Sequence, residues 1–134
     1  MTEIWVANSD GSNRRLVYTG GRDRVDSVHD PEISPDDTKV IFSKVNSRYK
    51  NFRKDPNANT AHDLWVINID GTGLTRLTPP GPISIVPAWK KGKILYLELT
   101  DQGGSTYRGI TVMNPDGSGR KRICDGANIA RWIP

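Results

Sequence analysis

Leu64-Trp65-Val66-Ile67-Asn68-Ile69-Asp70-Gly71-Thr72 has two near-copies elsewhere in the chain. One is Ile4-Trp5-Val6-Ala7-Asn8-Ser9-Asp10-Gly11-Ser12, and the other is Ile110-Thr111-Val112-Met113-Asn114-Pro115-Asp116-Gly117-Ser118. Basic residues and an aliphatic follow each copy: Arg14-Arg15-Leu16, Arg76-Leu77 and Lys121-Arg122-Ile123. A phrase repeated in this way means one supersecondary unit stacked along the chain, because no single copy can bury its apolar face alone.

Each copy opens on a short run of aromatic and branched residues, which reads as a strand. Asp-Gly then marks a tight turn, since glycine accepts the positive φ such turns need. The Arg-Leu segment reads as the returning strand. A second hairpin-like pair lies between copies. Its first version is Pro31-Glu32-Ile33-Ser34-Pro35-Asp36-Asp37 followed by Lys39-Val40-Ile41-Phe42-Ser43. Its second is Pro87-Ala88-Trp89-Lys90-Lys91-Gly92 followed by Lys93-Ile94-Leu95-Tyr96-Leu97. A truncated third version, Ala130-Arg131-Trp132-Ile133-Pro134, closes the chain. The surplus of the longer repeat interval falls in one loop, roughly residues 45–62. Thirteen Gly and nine Pro interrupt every segment long enough for a helix. Repeated four-stranded antiparallel units point to blades of a β-propeller rather than a helical solenoid.

The expected fold is therefore all-β: a β-propeller arc of about three blades in a single domain over residues 1–134. Residues 4–18 supply a half blade, 31–78 and 87–124 two complete four-stranded blades, and 129–132 the first strand of a shared blade. An open arc would expose two sheet ends. Two copies would relieve this by joining the strand around Ile129 and Trp132 of one to the hairpin carrying Ile4 and Trp5 of the other. That makes a homodimer with a six-bladed ring, although the joint blade would lack its second strand. The rival reading is a piece of a longer propeller.

The net charge of +4 permits an anionic partner without demanding one. A lone Cys124 excludes an internal disulfide. No apolar run approaches the ~20 residues a membrane-spanning helix needs. As written, Met1-Thr2-Glu3 enters the first repeat with no signal peptide, so the cytoplasm is the default compartment.

Motifs of chemistry are sparse. Asp10, Asp70 and Asp116 repeat in every copy and are expected to close turns rather than bind cations. Trp5, Trp65, Trp89 and Trp132 are expected to pack between neighbouring blades. His29, Asp30 and Glu32 form the densest polar cluster ahead of an innermost strand and are the candidate ligand-binding residues at the channel rim. A zinc site would need three or four ligands, and His62 is placed in a different loop, so no metal or other cofactor is expected. Arg48, Tyr49, Lys50, Phe52, Arg53 and Lys54 in the long loop are the candidate partner-binding residues. Nucleic acid is not the expected partner, although basic and aromatic residues alternate there. Asp55, Asn57 and Asn59 begin like a calcium loop, but Thr60 and Val66 stand where glycine and glutamate belong. There is no Gly-x-Ser-x-Gly elbow, His-Glu-x-x-His pair or phosphate-binding glycine loop. The expectation is a protein that is not an enzyme.

At these same residues the chain resembles the TolB-type, WD40-like (PD40) propeller repeat. That repeat carries a Pro-Ala-Trp-Ser-Pro-Asp-Gly strand and turn, an apolar strand, and an Ile-Tyr-Val-Met-Asn-x-Asp-Gly-Ser turn leading into Arg-Arg-Leu-Thr. Ser34-Pro35-Asp36-Asp37 and Trp89-Lys90-Lys91-Gly92 depart from it, and the first copy reaches its Arg-Leu pair one residue early. The resemblance implies a bacterial, non-catalytic scaffold acting through protein or ligand contact at one channel opening. It also implies a periplasmic setting, against the missing leader. The enzyme alternative comes from the same kinship: a gating propeller of prolyl-oligopeptidase type, or a sugar lyase.

Overall fold

A computed structural model describes residues 1–22, 26–46, 61–102, 105–127 and 130–133. Ten strands appear: β1 (Glu3–Val6), β2 (Arg15–Thr19), β3 (Val28–Ile33), β4 (Lys39–Asn46), β5 (Ala61–Asn68), β6 (Thr75–Arg76), β7 (Ile83–Lys90), β8 (Lys93–Gln102), β9 (Ser105–Met113) and β10 (Lys121–Asp125). No helix among the described residues is long and apolar enough to cross a membrane. The strands form a two-stranded sheet, β1-β2, and two four-stranded sheets, β3-β4-β5-β6 and β7-β8-β9-β10. All pairs are antiparallel. Two full blades and a half blade thus make an open propeller arc.

Alternation along the central strands gives each sheet two apolar faces. One core lies between the first and second sheets and contains Ile4, Val17, Val28, Val40, Phe42 and Ile67. The next lies between the second and third: Ile41, Leu64, Val66 and Leu77 meet Ile94, Tyr96 and Met113. A third covers the far face of the last sheet, where Ala127, Ala130 and Trp132 pack against a cluster containing Leu95, Leu97 and Ile110. Each buried aliphatic contributes about 1.5–3 kcal/mol, so every interface between sheets stabilises both neighbours.

The first strands start further upstream than their prolines suggest. β3 begins at Val28 and β7 at Ile83, and each carries a bulge just before its proline, between His29 and Glu32 and between Ile85 and Ala88. Asp30 (φ 52) and Val86 (φ 54) adopt left-handed backbone there. Both strands lie at a sheet edge, where proline is tolerated and a bulge re-aims the chain.

The departures from the repeat pattern have local explanations. Asp37 (φ 56) takes the left-handed position that glycine would hold, and Lys91 (φ 42) with Gly92 (φ 73) makes a two-residue hairpin turn. The first copy is also not short. Leu16 pairs with Trp5 as Arg76 pairs with Trp65 and Arg122 with Thr111. Val17, Leu77 and Ile123 are therefore the equivalent residues. Ile129 lies outside the described residues, and residues 130–133 form no strand.

Candidate functional site

The residues repeated in every copy are consumed by folding. In the first turn the Asn8 N–H donates to the Ser12 carbonyl, and Gly11 N–H donates to the Asn8 carbonyl, both at 2.9 Å. Asp10 Oδ1 accepts from the Ser12 hydroxyl at 2.6 Å and the Ser12 N–H at 2.9 Å. Asp70 with Thr72, and Asp116 with Ser118, repeat this geometry at the same distances. Those hydroxyl bonds, then the amide bonds, hold the three carboxyls below the usual range. Asp36 is held at about 2, first by the Ser34 hydroxyl and then by Thr38.

A lysine clamps the turn in both complete blades. Lys39 Nζ donates to Asn68 Oδ1 at 2.5 Å, and Lys93 Nζ to Asn114 Oδ1 at 2.6 Å. Asn8 occupies the same place in the half blade, and no lysine among the described residues reaches it. Among the described residues β1 pairs with β2 alone, which leaves its other edge open.

The residues unique to one blade gather around β3. His29 and Asp30 are exposed and Glu32 is half-buried. His29 Nε2 lies 3.0 Å from the Ser27 hydroxyl, and the Ser43 hydroxyl donates to Asp30 Oδ2 at 3.2 Å. Sequence spacing separated His62 from this group, but β4 lies between β3 and β5 and brings the two imidazoles to 6.2 Å between ring centres. Beside it Asp63 is fully buried. Its Oδ2 accepts from Asn46 at 3.1 Å and lies 3.8 Å from Arg76, while Oδ1 has no hydrogen-bond partner among the described residues. Burial raises the Asp63 carboxyl, against the opposing pull of Asn46, Arg76 and Lys44. No cluster of three or more His, Cys, Asp or Glu among the described residues could hold a metal ion.

Other candidate residues separate. Arg48, Tyr49, Lys50, Phe52, Arg53 and Lys54 lie outside the described residues. The Ile4 side chain is enclosed within the chain, in the core of the first two sheets. Trp65 and Trp89 pack between sheets as expected. Trp132 packs on the far face of the third sheet and donates to the Ala88 carbonyl at 3.1 Å. Trp5 departs from the expectation: it is 55% exposed, its indole N–H donating to Glu3. No sheet among the described residues covers it.

Two grooves open between sheets at the turn end. One, of about 640 Å³, lies against Trp89, Leu77 and Val66. The other, of about 1000 Å³, lies against Ile33, Val6 and Ile69. They are equivalent wedges, and the second is wider where Ile33 stands in place of the Trp89 indole.

No protein-family model matches the chain, and no curated protein matches it in sequence. A solved structure assigned as TolB from Agrobacterium tumefaciens is similar over 92% of this chain, with a TM-score of 0.66 and 15% sequence identity. The chain spans 41% of that structure. At this identity the likeness is one of fold: the chain forms a TolB-like, all-β propeller arc.

Proposed function

We propose that the chain is a non-catalytic binding scaffold of the WD40-like (PD40) repeat type. It works as a ring of two copies, each contributing three blade positions. Protein or ligand contact is made at the rim that carries His29, Asp30 and Glu32. One observation carries this reading: the repeated Asn, Asp, Gly and hydroxyl residues are spent in turns, while His29, Asp30 and His62, which the other blade does not repeat, lie around β3. Repetition serves the frame and singular residues serve recognition. His29, Asp30 and the neighbouring His62 present donors and acceptors to a polar ligand group.

Mass by light scattering tests the assembly. The expected value is twice the 14.9 kDa of the chain. A single-chain mass at every concentration would rule the ring out. Replacing His29 and Asp30 with alanine is expected to leave the mass unchanged, since both side chains are exposed.

A further inference from the structure

The turn glycines reveal how one blade recognises the blade before it. A Cβ at Gly71 would stand 3.1 Å from the Val17 carbonyl oxygen, and a Cβ at Gly117 would stand 2.5 Å from the Leu77 carbonyl oxygen. Each turn therefore rests on the backbone of the preceding sheet's last strand or the residue just after it. A Cβ at Gly11 would meet nothing within 4 Å. The series leaves one glycine unfilled, at the head of the chain.

Among the described residues it also leaves one equivalent strand position without a turn against it. Val17, Leu77 and Ile123 are equivalent by pairing. Val17 and Leu77 are 6% and 9% exposed, whereas Ile123 is 52% exposed. Val17 and Ile123 both sit where the register of the last strand shifts against its neighbour, between the partners of Ile4 and Trp5 and between Arg122 and Cys124. A bulge of this kind takes one residue out of the ladder and frees its backbone for another contact. Ile123 is thus built like Val17, with an aliphatic side chain and a shifted register, but no turn among the described residues rests on it.

We propose that Ile123 of one copy seats against the Gly11 turn of a second copy. Its carbonyl faces the Gly11 Cα, and its side chain enters a core formed with the second copy's first sheet. The occupant is a second copy because Gly11 and Ile123 are complementary halves of a contact that this chain makes twice internally. A two-fold ring makes the contact twice, head to tail in the same rotational sense. This rests on the ring reading above and specifies its joint.

The test is light-scattering mass over a concentration series for the wild type, Ile123→Asp and Gly11→Asn. Both positions are exposed in the single chain, and asparagine tolerates the left-handed backbone of Gly11, so circular dichroism should show unchanged sheet content. Each variant should weaken dimerisation at least tenfold. A wild-type dimer that both variants leave intact would overturn this contact while sparing the ring. A wild type of single-chain mass throughout would overturn both.

Discussion

Gly117 lies so close to the Leu77 carbonyl that a methyl group at position 117 would come within 2.5 Å of that oxygen. The same relationship is looser at Gly71 and vacant at Gly11. Alanine at any of the three incurs about 1–2 kcal/mol from left-handed backbone alone. In an Ile123→Asp background, Gly11→Ala should stop there, Gly71→Ala should cost somewhat more, and Gly117→Ala should be the most damaging. Urea denaturation of the three variants checks the order; equal losses would show that the close approach contributes nothing.

The turn carboxylates set the acid limit. Asp10, Asp36, Asp70 and Asp116 have folded-state values below their unfolded ones. The folded chain therefore binds fewer protons than the unfolded chain as pH falls below about 4. Their contribution is complete above the unfolded value and is lost as pH falls through the folded one, near 2 for Asp36. The urea midpoint should decline from about pH 4 downward, and Asp36→Asn should flatten that decline.

Asp63 works in the opposite sense. Its value is raised, so the folded chain holds this proton to higher pH than the unfolded chain does. Its contribution falls as pH rises from the unfolded value through the folded one. Asp63→Asn keeps an oxygen to accept from Asn46 and removes a buried charge, so it should raise the melting temperature at pH 7 more than at pH 4. A loss that is larger at pH 7 than at pH 4 would mean that the ion pair with Arg76 outweighs burial.

Val86 is β-branched and holds a φ of 54, where such residues are outliers. Asp30 fills the equivalent place in β3 with a residue that tolerates it. Val86→Asn should therefore stabilise the chain by about 1 kcal/mol. Thermal unfolding reads this directly, and a lower melting temperature would show that the half-buried valine packs for more than its backbone costs.

The repeated turns were legible because Asn, Asp, Gly and Ser or Thr act locally, each bonding within five residues. Strand starts were less legible, because Pro31 and Pro87 read as boundaries when they sit inside bulged edge strands. The turns at Asp37 and at Lys91-Gly92 were legible as hairpins although Asp37 and Lys91 depart from the usual repeat pattern. At the rim, His29, Asp30 and Glu32 stood out as a run. His62 did not, because only the pairing of β4 with both neighbours brings it near. The match between Gly11 and Ile123 depends on knowing which neighbour each equivalent residue touches, and no composition or spacing carries that.

The unequal wedges at Ile33 and Trp89 bear on closure. A contact that runs in one direction ends in a ring only when the turn per sheet divides the circle; otherwise units add without end as a filament. Filling the wider wedge, as Ile33→Trp would, is expected to change that angle at one joint in each copy. If copies join as proposed above, Ile33→Trp is expected to favour end-to-end addition over closure, and sedimentation of the variant would show it.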